Sequence, residues 1–233
     1  MVGYDTNWGR PAPDVDSAFI SAAVQWMRHL EEAFVRHVWA GYDRMDSQRP
    51  SVDTRDLERS ITQLLDCMIR DEMSDDEPYY LQHGPCERET MKPPPAQPPT
   101  YDLAFVFRAD PRIMWPLEAK VLTTSQSLSN YLKDIQKEFL TCRYAPFSPS
   151  GAMLGYLLHG EPEETLSNIS ARLNCTLDPM TAFAHRPCAV SMHTRSVPLE
   201  KPYPAIFDCH HIILTFHGLR RSSKKTHPDT ITS

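Results

Sequence analysis

Between residues 93 and 99 the chain reads Pro-Pro-Pro-Ala-Gln-Pro-Pro. A segment with so many fixed φ angles and missing amide donors joins neither a helix nor the interior of a sheet. The next element must therefore start afresh. It reads Tyr101-Asp102-Leu103-Ala104-Phe105-Val106-Phe107, a polar turn over Arg108 to Arg112, then Ile113-Met114-Trp115-Pro116-Leu117-Glu118-Ala119-Lys120. Two apolar runs of strand length around a Pro-containing turn predict a β-hairpin. Side chains alternate along a strand, so Glu118 and Lys120 share one face and Leu117 and Ala119 the other. Asp102 opens the first strand. Two carboxylates and an ammonium are thus expected on one side of a sheet, a set suited to a hard divalent cation and a phosphate.

Upstream, Phe19, Ala22, Ala23, Trp26, Leu30, Ala33, Phe34, Val38 and Trp39 recur at three- and four-residue steps. This predicts an amphipathic helix capped at Asp16 or Ser17 and stopped near Gly41. A second helix is predicted with Asp53 as its N-cap and with Leu57, Ile61, Leu64, Leu65, Met68 and Ile69 on its buried face. Glu58 sits beside that face, within reach of a sheet edge. Tyr79 to Thr90 carries β-formers for a first strand, interrupted by Gly84-Pro85. After Lys120, Ser125 to Tyr144 reads as a helix with Leu128, Tyr131, Leu132, Ile135, Phe139 and Leu140 in a stripe and Lys133, Asp134, Lys137 and Glu138 off it. Gly151 to His159 reads as a strand buried on both faces. Glu161 to Leu173 reads as a helix, and Cys188 to His193 and Asp208 to Phe216 as two late strands. Trp115-Pro116 implies an edge position or a bulge in the second hairpin strand.

The strand, helix, strand unit after Lys120 implies a right-handed crossover, with the third and fourth strands parallel in a mixed sheet. The expected fold class is α/β, with an αβββαβ core, an added N-terminal helix and a C-terminal β extension. Residues 1–50 form the N-terminal helix and linker, residues 51–219 the main domain, and residues 220–233 a disordered polar tail.

At 233 residues, 41% hydrophobic and 23% charged, the chain suits one main domain. The net charge of −6 argues against coating nucleic acid unspecifically. Its distribution is uneven. Seven Lys or Arg stand against three acidic residues after residue 180, a local +4 that leaves −10 on the rest. Six cysteines without a Cys-x-x-Cys pair, no apparent cleavable leader and no membrane-length apolar run point to a cytoplasmic protein with free thiols. No Gly-rich phosphate loop and no Gly-x-Ser-x-Gly elbow is present, which disfavours P-loop, Rossmann and α/β-hydrolase chemistry.

Asp102 followed by Glu118-Ala119-Lys120 after fifteen residues, within an αβββαβ order, resembles the PD-(D/E)xK nuclease superfamily, the restriction-endonuclease-like fold. The resemblance covers roughly Asp56 to His159. It implies a nuclease in which Asp102, Glu118 and the Ala119 carbonyl bind Mg2+, or Mn2+ in its place, while Lys120 orients or helps activate the attacking water. Glu58 would be the extra helix glutamate of some members. The proline usual just before the aspartate is displaced to Pro99. The resemblance further implies nucleic acid as substrate, DNA before RNA, and a setting in prokaryotic restriction, repair or anti-phage defence. Independently of any family, phosphodiester cleavage needs a deprotonated water and offset negative charge, which these residue types supply. As a plain strand-end ion pair, Glu118 and Lys120 would contribute under about 1 kcal/mol.

Other residues are weaker candidates. Ser191, His193 and Arg195 share a strand face and would suit a phosphate contact, against a solvated surface pair. Lys133 and Lys137, one helical turn apart, would meet a nucleic-acid backbone or merely solubilise a helix. His185, Cys188, His193, Cys209, His210, His211 and His217 match no structural zinc spacing. The alternative function is an inactive nuclease-like fold that binds nucleic acid or assembles with a defence-complex partner or a second copy through Trp26, Phe34 and Trp39 of the N-terminal helix.

Overall fold

A computed structural model describes residues 15–217 apart from residues 88, 91–97 and 124. Most of the proline run and the expected polar tail lie outside the described residues. The elements are α1 (Ser17–Gln48), α2 (Leu57–Glu72), β1 (Tyr79–His83), β2 (Leu103–Phe107), β3 (Met114–Leu122), α3 (Ser125–Asp134), β4 (Ser150–Leu157), α4 (Pro162–Leu173), β5 (Asp178–Pro179), β6 (Cys188–Thr194) and β7 (Ile206–Thr215). They form an α/β domain around one mixed sheet of seven strands, ordered β1-β2-β3-β4-β7-β6-β5. The hairpin pairs antiparallel with Leu103 opposite Leu117, β3 and β4 run parallel, and β4 runs parallel to β7. Among the described residues no helix is long and apolar enough to cross a membrane.

Two cores flank the sheet. Phe34 of α1 and Ile61 and Leu65 of α2 pack with Phe105, Trp115, Leu117 and Ala119 on one face. Tyr131 of α3 and Ile169 of α4 pack with Met114, Leu122 and Met153 on the other. The alternation expected of β3 is thus realised, and Glu118 and Lys120 face the α3 side. β4 is buried along its whole length, as its unbroken apolar run requires.

Several expectations need correction. α1 does not stop at Gly41 but runs to Gln48, where Arg49 takes a left-handed conformation. Gly41 serves a close helix crossing instead: a Cβ there would lie 2.9 Å from the Ile69 backbone nitrogen. The α2 N-cap is Asp56, whose carboxylate accepts from Arg59 N at 3.4 Å, because Asp53 is taken by the Arg55 backbone and guanidinium. β1 ends at His83, since Gly84 turns out of the strand with φ 64. α3 gives way to a π-helical turn over Ile135–Phe139, and Tyr144 lies beyond it in a loop.

Trp115-Pro116 is neither an edge nor a bulge, for β3 lies between β2 and β4 and keeps its register. The amides of Ala119 and Val121 point to the β2 side, so by alternation position 116 points toward β4. The ladder with β4 begins only at Leu117, which is why a missing N–H is tolerated there.

α1 is also no detached appendage. Phe34 and Trp39 are 0% and 4% exposed, so they are not free to meet a partner, whereas Trp26 lies against Phe107 with ring centroids 3.9 Å apart and stays 40% exposed. Glu31 accepts from the Ser150 hydroxyl at 2.6 Å, and the Tyr42 hydroxyl donates to the Thr215 carbonyl at 2.7 Å.

Candidate active site

The site forms where β2 falls short of β3. Beyond Leu117, β3 has no strand neighbour on that side among the described residues, and two of its amides would be left open. Carboxylates close them. Asp102 Oδ2 accepts from Ala119 N at 2.8 Å, and Glu58 Oε2 accepts from Val121 N at 2.9 Å. Asp102 immediately precedes β2 and Glu58 lies in the first turn of α2, so hairpin register and helix docking together fix both acids.

Glu118 and Lys120 sit on the adjoining face of β3. The Lys120 ammonium donates to the Ala119 carbonyl at 2.8 Å and to Glu118 Oε1 at 3.1 Å. It also lies 3.1 Å from Asp134 Oδ2 and 3.6 Å from Glu58 Oε1. Glu118 is only 8% exposed, and its Oε2 is buried without a hydrogen-bond partner among the described residues. Burial first, and then the nearby charge of Asp102, push its carboxyl up to about 8, against the pull of Lys120. Burial opposes the charge of Lys120, but Glu118, Glu58, Asp134 and Asp102 outweigh it and hold the ammonium above the ordinary lysine value. Formally, four carboxylates surround one ammonium.

The donor set suits a divalent cation in kind: hard oxygens, an orphaned buried carboxylate oxygen and an excess of negative charge. As the side chains stand, the ammonium takes two of those oxygens. Among the described residues no group of three His, Cys, Asp or Glu side chains is arranged to hold a metal ion. Of the three residues expected to surround a metal-sized gap, Glu118 is closed onto the Lys120 ammonium and Asp102 is held on the Ala119 amide.

A cleft of about 270 Å³ opens beside Asp102 and Glu58, lined also by Asp56, Arg59, Thr62, His83, Gly84, Thr100 and Tyr101. Arg59 sets a cation at its wall. Thr62 and Tyr156 hydroxyls meet at 2.9 Å beneath it. A second cleft, about 410 Å³, lies past Leu122 and Leu157 at the ends of β3 and β4.

Lys133 and Lys137 are exposed on α3 and the turn after it. The expectation for Arg195 is overturned. Its guanidinium is buried, donating to the carbonyls of Phe139, Ser148 and Tyr144 at 2.9, 3.1 and 2.9 Å, and it ties down the loop before β4 instead of facing a phosphate. His193 is likewise engaged. Ser191 Oγ lies 2.7 Å from His193 Nε2 and 2.7 Å from His211 Nε2, and His211 meets the Tyr131 hydroxyl at 2.9 Å. The three residues do share a face, but it is an interior one.

Asp134 is the residue that sequence reasoning missed. Its sign was there: it follows Tyr131 by three positions and so borders the buried stripe of α3.

No protein-family model, curated protein or solved structure matches the chain.

Proposed function

We propose that the chain is a divalent-metal-dependent phosphodiesterase acting on nucleic acid, DNA before RNA, built on a restriction-endonuclease-like core. The order α2-β1-β2-β3-α3-β4, with an antiparallel hairpin followed by a parallel crossover, supports that core. The observation that carries the activity is Glu118: a carboxylate buried beside Asp102, with one oxygen that has no hydrogen-bond partner among the described residues. Burying such an oxygen is costly unless a cation meets it.

Asp102, Glu118 and the Ala119 carbonyl would hold the cation. Bound there, it would lower the pKa of a coordinated water and offset charge developing on the phosphorane. Asp102 has one oxygen fixed on the Ala119 amide, and its other would serve the cation. Lys120 keeps a positive charge beside the scissile phosphate and orients the water that attacks it. Arg59 and His83 line the approach, and the Arg59 guanidinium counters the phosphate charge as the strand enters the cleft.

A second reading, an inactive fold that only binds, draws on the ammonium standing on two of the oxygens a cation needs. Incubation with plasmid, single-stranded DNA and RNA in Mg2+ or Mn2+ separates the two. Asp102→Asn is the informative variant, since its amide oxygen still accepts from Ala119 N while the charge is gone. Cleavage by wild type that is lost in Asp102→Asn and Lys120→Ala is expected. Equal inertness of all three on every substrate would replace the enzyme with the binding module.

A further inference from the structure

We propose that Ser191 couples two histidines into a pH-sensitive relay: a proton taken up by His193 decides which nitrogen of buried His211 carries its hydrogen and which way the Tyr131 hydroxyl points. The contacts are unbroken. Ser191 Oγ lies 2.7 Å from His193 Nε2 and 2.7 Å from His211 Nε2, and His211 Nδ1 lies 2.9 Å from the Tyr131 hydroxyl. Ser191, His211 and Tyr131 are 0% exposed, whereas His193 is partly exposed and is the member that meets solvent.

A hydroxyl carries one hydrogen and a neutral imidazole carries one, so a direction chosen at one end passes to the other. With His193 neutral, the Tyr131 hydrogen has two acceptors, His211 Nδ1 at 2.9 Å and the Met153 carbonyl at 3.3 Å. The second is longer than an ordinary O–H···O bond, so the phenol donates to the imidazole. His211 then donates from Nε2 to Ser191, and Ser191 donates to the bare Nε2 of His193. Protonated His193 has no bare nitrogen and becomes a donor to Ser191. If His211 stayed a donor as well, the serine hydrogen would be left to the sulfur of Cys175, which reaches the same hydroxyl and is a weak acceptor. The reverse order satisfies every group: Ser191 donates to His211 Nε2, His211 donates from Nδ1 to Tyr131, and Tyr131 donates to the Met153 carbonyl. One proton is gained, on His193. His211 keeps one throughout and changes only the nitrogen that holds it.

The surroundings favour one titrating group. Burial first, then His193 and His210, push His211 down to about 3, so it stays neutral. Burial also holds His193 below the ordinary histidine value, against the pull of Asp208 on β7. Cys188 on β6 and Cys209 on β7 stand near Tyr131, and Cys175 follows α4; burial raises all three thiols and keeps them uncharged. Arg195, two residues along β6 from His193, is charged but committed to three carbonyls. Met153 stands opposite Glu118 in the β3–β4 register, so the far end of the relay lies one strand from the candidate site.

Long-range nitrogen–proton correlation spectra of the 15N-labelled full chain report which ring nitrogens of each histidine are protonated, and they test the relay between about pH 8 and about pH 4. His211 is expected to hold its hydrogen on Nε2 above the His193 transition and on Nδ1 below it, with one shared midpoint. In Ser191→Ala, His193 still titrates and His211 no longer follows. If that variant does not fold by its melting curve, Tyr131→Phe serves: with no acceptor left for an Nδ1 hydrogen, His211 keeps Nε2–H at every pH while His193 titrates. Three results overturn the proposal: a His193 that takes up no proton in this range, a His211 tautomer that is the same on both sides of the His193 transition in wild type, or one that still switches in the variant.

Discussion

Replacing Glu118 by Gln separates the cost of its charge from the cost of its burial. Its carboxyl ionises at about 8 in the folded chain against an ordinary 4.5, with desolvation the larger cause and Asp102 the next. Between those two values the folded protein keeps a proton that the unfolded chain has released. Unfolding therefore releases a proton, and wild-type stability falls as pH rises through this window. Each unit of separation corresponds to about 1.4 kcal/mol, so the window removes about 3–5 kcal/mol in total. Glu118→Gln keeps the shape and cannot ionise. The two proteins should match near pH 4, and the variant should be the more stable by that amount above about pH 8. Urea melts followed by tryptophan fluorescence, repeated across pH, measure the difference directly. Saturating Mg2+ should then raise the stability of wild type at high pH and leave the variant unmoved, because a ligand stabilises only the state it binds. A difference between the two proteins that stays flat from about pH 5 to pH 8.5 would refute the buried, partnerless carboxylate.

Two further substitutions test the frame that holds the site. Arg195→Met should cost about 3 kcal/mol in a urea melt, because three buried carbonyls at Phe139, Tyr144 and Ser148 lose their donor while only part is regained from no longer burying a guanidinium; a change under about 0.5 kcal/mol would show that solvent reaches that loop. Gly41→Ala should cost about 2 kcal/mol by the same measurement, since its methyl would meet the Ile69 backbone, and an unchanged melt would mean that α1 and α2 slide apart freely.

Local chemistry was legible and partnership was not. Alternation along β3 put Glu118 and Lys120 on one face, and periodicity put Glu58 beside the buried stripe of α2, because both depend only on backbone geometry. Gly41 misled, since a glycine marks a helix end and a close crossing with the same letter. Asp53 and Asp56 are equally good caps by type, and only the claim of Arg55 on Asp53 decides between them. Pro116 looked like an edge residue because the place where the β4 ladder begins is a fact of tertiary structure. Arg195 looked like a binding residue because its acceptors come from Phe139 to Ser148, far behind it in the chain. Asp134 falls off the apolar stripe of its helix, and its meeting with Lys120 is a product of the crossover. β5, two residues long and containing Pro179, carries no pattern to read.

The placement of β7 has a consequence for how this protein is made. The last strand among the described residues lies inside the sheet, between β4 and β6, and it also receives the hydroxyl of Tyr42 from the first helix. On the ribosome, α1, α2 and the hairpin emerge long before the strand that completes their layer. The face of β4 and the apolar side of α1 must wait through that interval, shielded by chaperones or by loose collapse, and close only when Ile206 to Thr215 is free to pair. Truncation ahead of that strand would leave the inner edge of β4 without its partner.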